Sequence, residues 1–234
     1  MKRIIIAVAI FAAMAVCSSA MAIQLHWDGI TGGIGGYYNT PSTNGIGYGL
    51  TDYHDMWSCE IVFDSVSGIP GYVDGSPLIT FCVEWNEDLI GENDFTATLN
   101  TGAVKGGVSG QTETDFDPLS DQSAWLFTQY SNGATFGIAD VNRRAAVVQE
   151  AIWSLEDELT WSDDYTETAG VIASADAAVN SGWTNQNVRV LNIVWADEEG
   201  HDGQDVLVIV PEPSSIVVLF GALGSFVISR RRKN

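Results

Sequence analysis

A chain of 234 residues with 46% hydrophobic content is long enough to bury one core of ordinary size. Its formal charge of -20 excludes a nucleic-acid surface, because such a coat repels phosphate backbones. The basic residues sit at the ends, Lys2 and Arg3 in front and Arg230, Arg231, Arg232 and Lys233 behind. Between positions 23 and 210 only Lys105, Arg143, Arg144 and Arg189 oppose all the acids except Glu212.

Taken in order, Lys2 and Arg3 precede an apolar run from Ile4 to Val16 and the small-x-small pattern Ala20-Met21-Ala22, an export signal over 1–22 with cleavage expected after Ala22. A lipoprotein reading of Cys17 is disfavoured by Val16, where a small residue is usual. Cleavage removes Cys17 and leaves Cys59 and Cys82 where disulfides persist. The stretch from Ile23 to Leu50 is rich in Gly and Tyr and reads as turns and short edge strands. Its glycines lack the strand-loop-helix frame of a phosphate cradle. Cys59 to Asp64 is a strand by its β-branched and aromatic content, followed by a Gly/Pro turn from Ser67 to Gly71. Leu78 to Trp85 is a second, more apolar strand with Cys82 in its interior.

Residues 91–121 are polar, with Asp94 to Leu99 an exposed strand. Ser120 caps a short helix that closes at Asn132-Gly133. The next helix is amphipathic: Ala145, Val148, Ile152, Leu155 and Leu159 recur at spacings of three and four, and Gln149 lies at the edge of that stripe. Ala169 to Asn180 is a third helix, and Arg189 to Trp195 and Gln204 to Val210 are two final strands. The fold expected is α+β, a mainly β domain, sandwich or barrel-like, with a few packed helices. It occupies 23–210 between the signal peptide and an apolar sorting segment at 211–234.

Common enzyme templates are missing. His26, His54 and His201 are too scattered for a zinc-protease helix, and no nucleophile elbow occurs. Asp115, Asp117 and Asp121, and the acidic run Asp197 to Asp202, lack the spacing of a calcium loop and read as solvated acids, so no metal or cofactor is expected. Glu84 beside Trp85, or Glu156 on the central helix, is a candidate for the paired carboxylates that a glycan-acting domain needs.

Two stretches carry resemblances. Pro211-Glu212-Pro213, the short apolar span to Ser229 and Arg230-Arg231-Arg232 resemble the PEP-CTERM sorting signal of exported bacterial proteins. That resemblance implies handling by an exosortase-type protease, a transient membrane stage through the apolar span, and an envelope, cell-surface or extracellular-matrix destination. Phe81-Cys82-Val83-Glu84 and Val148-Gln149-Glu150-Ala151-Ile152-Trp153 together resemble the bacterial thioester domain. They depart from it in Val148, where Thr is frequent, and in the additional Cys59. The resemblance implies an adhesion protein without turnover. In it the Cys82 sulfur is joined to the Gln149 side-chain carbonyl, Phe81, Trp85 and Trp153 shield the bond, and a surface amine or hydroxyl on protein or polysaccharide is the target. A Cys59–Cys82 disulfide, stapling a structural matrix protein, competes for the same thiol.

Overall fold

The computed structural model describes residues 22–27, 60–84, 93–104, 116–158, 166–195 and 203–211. The expected signal peptide up to residue 21, the expected sorting residues beyond Pro211, Cys59, most of the Gly- and Tyr-rich stretch expected from Ile23 to Leu50, and the acidic run from Asp197 to Asp202 lie outside them. In chain order the elements begin with strands β1 (Ile23–Trp27), β2 (Ile61–Ser67), β3 (Ser76–Thr80), β4 (Asn93–Asn100), β5 (Gly102–Val104) and β6 (Phe116–Pro118). Helices α1 (Asp121–Ser131), α2 (Val141–Leu155) and α3 (Thr166–Asn180) follow, and strands β7 (Val188–Trp195) and β8 (Val206–Ile209) end the series.

Six strands form one antiparallel sheet in the order β3-β2-β1-β4-β7-β8, and β5 pairs with β6 in a separate ribbon. The six-stranded sheet nearly closes into a barrel. Past Thr80 the chain leaves β2 and turns to β8: Leu207 N–H donates to Phe81 O at 3.1 Å, and Val83 N–H donates to Asp205 O at 2.9 Å. Cys82 is bridged to Val206 between those two bonds. The Thr80 hydroxyl adds a 2.5 Å bond to Leu207 O.

Two cores result. Leu25, Phe63, Phe95, Leu191, Ile193, Val206 and Val208 fill the curled sheet, with Phe63 and Phe95 edge-to-face at 6.2 Å. Val190, Leu207, Phe81 and Val83 instead face the helices, meeting Leu126, Phe127, Val148 and Ile152. Strands β7 and β8 are thus covered on both faces, which is why their sequences read as nearly continuous apolar runs.

The architecture is α+β as expected, but four local readings change. β1 is an inner strand, hydrogen-bonded to both β2 and β4, rather than part of an edge. β4 lies between β1 and β7, with Phe95 buried and Asp94 and Thr98 outward, so its polarity reflects one wet face rather than an exposed strand. Cys82 stands beyond the regular end of β3, at the point where the chain changes partners, rather than inside a strand to Trp85. Helix α2 has the expected apolar stripe, but it is buried at every residue from Ala145 to Trp153, so over that stretch its polar side, with Gln149 and Glu150, is enclosed as well. The β5–β6 ribbon was not foreseen; its six residues include a Gly and a Pro and give no alternating pattern.

Local signals set the ends of α2. The Asp140 carboxylate accepts from the N–H groups of Asn142 and Arg143, both at 2.9 Å, capping the first turn. At the other end Asp157 takes a left-handed φ of 61°, and Glu158 N–H returns to Trp153 O at 2.8 Å.

Candidate functional site

In an antiparallel bridge flanked by the Val83–Asp205 and Leu207–Phe81 bonds, Cys82 is a non-hydrogen-bonded position. Its own N–H and C=O therefore point away from β8, toward the edge that β2 occupies one pair earlier, where Ile61 faces Thr80. Two buried backbone groups at that edge need partners. Gln149 supplies both: its Oε1 accepts from Cys82 N–H at 2.9 Å, and its Nε2 donates to Cys82 O at 2.9 Å. The carboxamide stands in for the next residue of a neighbouring strand. Gln149 has no solvent exposure, and Cys82 is 5% exposed.

A second contact fixes the register of helix on strand. One helical turn after Gln149, the Trp153 indole N–H donates to Glu84 O at 3.2 Å. Four helical residues rise about 6 Å and two extended residues about 6.6 Å, so Gln-x-x-x-Trp on α2 matches Cys-x-Glu on the strand extension. The same Glu84 carbonyl accepts from Gln204 Nε2 at 2.8 Å.

Cys82 and Gln149 are thus brought together, with Phe81 and Trp153 beside them. Phe81 is fully buried, edge-to-face with Tyr130 at 4.9 Å and with Phe127 at 6.3 Å. The Tyr130 hydroxyl donates to Glu60, and burial followed by that bond raises its pKa. Trp153 is 4% exposed, so its ring packs in the interior while its N–H is a hydrogen-bond donor. Trp85 and Cys59 lie outside the described residues. Of the expected sorting motif only Pro211 is described, exposed and with its ring against Gly71; Glu212, Pro213, Arg230, Arg231 and Arg232 are not.

The other candidates are drawn into structural contacts. The Glu156 carboxylate accepts from Ser120 Oγ at 2.6 Å and from Ser120 N–H at 3.3 Å, joining the end of α2 to the start of α1. Burial raises its pKa, against the Ser120 bonds. Asp121 accepts from Asn185 N–H at 2.8 Å. Asp115, His54 and His201 lie outside the described residues, and among those described no group of three or more His, Cys, Asp or Glu side chains could hold a metal ion. Among the described residues no helix is long and apolar enough to cross a membrane.

Two residues at the site escaped notice in the sequence, Gln204 and Asp205, which lead into β8. The Asp205 carboxylate accepts from Val104 N–H at 2.9 Å, from Asn192 Nδ2 at 2.6 Å and from Ile193 N–H at 3.2 Å, tying β8 to β5 and β7. Burial pushes its pKa up to about 7, with neighbouring Glu84 adding to the rise and the three donors opposing it. An acid at the head of an apolar run was the one available signal, and it also fits a solvated hairpin tip.

No family model, curated protein or solved structure matches this chain.

Proposed function

We propose that this is an exported surface-attachment protein whose Cys82 and Gln149 side chains close an internal thioester. The observation that supports the reading is the two-point seating of the buried Gln149 carboxamide on Cys82 itself. In the closing step the Cys82 sulfur attacks the Gln149 carboxamide carbon, the carbon–nitrogen bond breaks, and ammonia leaves with the thiol proton. Seating both groups in one water-poor spot replaces a bimolecular encounter by an intramolecular one. The carboxamide must release its two bonds to the Cys82 backbone to meet the thiol, because Cys82 shares the sheet face of Val206. A target amine or hydroxyl then displaces the sulfur and becomes bonded to the Gln149 acyl carbon.

The rest of the reading concerns address. The signal peptide exports the chain, the 211–234 segment passes through the membrane transiently, and an exosortase-type protease delivers the domain to the cell surface or extracellular matrix, where it adheres without turnover. Intact-mass measurement of the full exported chain tests the chemistry. The expected result is a deficit of about 17 Da, the lost ammonia, with methylamine adding to the chain at Gln149. A native chain at full mass that takes up no methylamine rejects it.

A second reading is favoured by a specific observation: both polar ends of Gln149 are already satisfied by Cys82, so the residue suffices as a structural latch. In that case the domain is a structural matrix or polysaccharide-binding module, and a Cys59–Cys82 disulfide is detected by non-reducing peptide mapping.

A further inference from the structure

The Glu84 carbonyl, two residues from Cys82, is gripped by two side chains from different elements, Trp153 from α2 at 3.2 Å and Gln204 from the lead-in to β8 at 2.8 Å. Both side chains are buried, Trp153 at 4% and Gln204 at 7% exposed. Neither bond is needed to form the sheet, since the seam with β8 is made by the backbone bonds of Phe81 and Val83. They act instead on where the strand extension sits relative to the helix that carries Gln149.

We propose that Trp153 and Gln204 are positioning residues for thioester closure, holding the Cys82–Glu84 segment against α2 through the Glu84 carbonyl so that the Cys82 thiol stays within reach of the Gln149 carboxamide once the carboxamide leaves the Cys82 backbone. The inference rests on the thioester reading. Trp153 lies one turn from Gln149 and Glu84 two residues from Cys82, so the Trp153 bond acts as the second point of a two-point register: with Gln149 alone the segment can pivot about Cys82, and with both it cannot. Gln204 fixes the same carbonyl to the β8 side, closing the remaining direction of movement. Intramolecular acyl transfer is steep in geometry, and a displacement of about 1 Å at the reacting atoms costs up to about 100-fold in rate.

The test uses the full exported chain with Trp153→Phe, which keeps a buried ring and deletes the donor, Gln204→Met, which keeps length and deletes the donor, and the two combined. The chains are refolded from denaturant, and the rate at which the ammonia-loss mass deficit appears is followed by intact mass, beside the urea midpoint of each chain. The expected result is slower closure in each single variant and a loss approaching about 100-fold in the double, in chains that are folded by circular dichroism. Closure at the wild-type rate in both folded single variants overturns the proposal, whether or not the double variant folds. Rates that fall only in step with the folded fraction also overturn it, because a merely structural role moves the urea midpoint and not the closure rate of the folded chain. A wild-type chain that never shows the deficit fails the thioester reading itself, and this proposal with it; a wild-type chain that closes beside variants that close equally fast removes the positioning role alone.

Discussion

Gln149 holds its place through the backbone of Cys82 rather than its side chain, and this separates two substitutions that would otherwise look equivalent. Gln149→Ala removes the side-chain partner of a buried N–H and of a buried C=O, at about 1–3 kcal/mol each, so a stability loss of about 2–6 kcal/mol is expected in urea unfolding. Cys82→Ala keeps both backbone bonds and removes a single sulfur atom; it should cost about 1 kcal/mol while abolishing any ammonia-loss deficit. A Cys82→Ala chain as unstable as Gln149→Ala would contradict this account of the latch. Asp205 supplies the pH dependence at the same scale. Its folded pKa of about 7 lies above the ordinary carboxylate value of 3.8, so the folded state binds the proton more tightly than the unfolded chain. The stability it contributes is therefore present at acid pH and is lost as pH rises from about 4 through about 7. Urea midpoints at pH 5 and pH 8 should show that fall, and Asp205→Asn should flatten it; an unchanged slope in the variant would assign the fall to other groups.

Among the elements, α2 matters most because it delivers Gln149 and Trp153 together. Its N-terminus is held by Asp140, and Asp140→Ala should lower stability by about 1 kcal/mol, measurable as a shifted urea midpoint, with no change in the Cys82–Gln149 chemistry. The β5–β6 ribbon is less tolerant. A Cβ on Gly102 would stand 2.0 Å from the Asp117 carbonyl oxygen, a backbone atom with no side-chain freedom to yield. Gly102→Ala should therefore separate the ribbon and weaken the contacts that Val104 N–H and Gly102 O make with Asp205 and Asn192, a loss of about 1–3 kcal/mol or more by thermal unfolding. A variant with unchanged melting would show that the ribbon moves freely.

For the whole molecule, the sheet orders its connections. In an antiparallel sheet with Trp27 opposite Asn93, Thr80 opposite Ile61 and Trp195 opposite Phe95, the β1–β2, β3–β4 and β7–β8 connections all leave the same end, the end at which Cys82 sits. The opposite end holds the β2–β3 turn and the exit of β8 toward Pro211. At the N-terminal side β1 begins at Ile23, directly after the expected cleavage at Ala22, and pairs on both sides. Under the proposed export reading, a signal cut several residues further on would take away an inner strand and split the sheet, so a cut at or close to Ala22 is expected. The N-terminal peptide mass of the mature chain checks this, and a start beyond Trp27 would be incompatible with the fold.

The sequence by itself determined what depends on neighbours along the chain. The Ser120 cap and the Asn132-Gly133 stop gave α1, β-branched runs gave β2, β7 and β8, and the motif resemblance, not local pattern, singled out Cys82 and Gln149. Only the tertiary structure decided what depends on contacts far apart in the chain. Gln149 and Trp153 grip Cys82 and Glu84 across 67 and 69 residues, and Gln204 reaches Glu84 across 120. Burial misled for the same reason: β4 is polar on one face yet lies inside the sheet, and α2 is enclosed by partners that its own periodicity cannot announce. The partner change at Cys82 likewise follows from the near-closure of the sheet, which exposes one residue's N–H and C=O to a side chain from a helix. Local pattern fixes which groups a segment carries, and the barrel seam decides which of them must find each other.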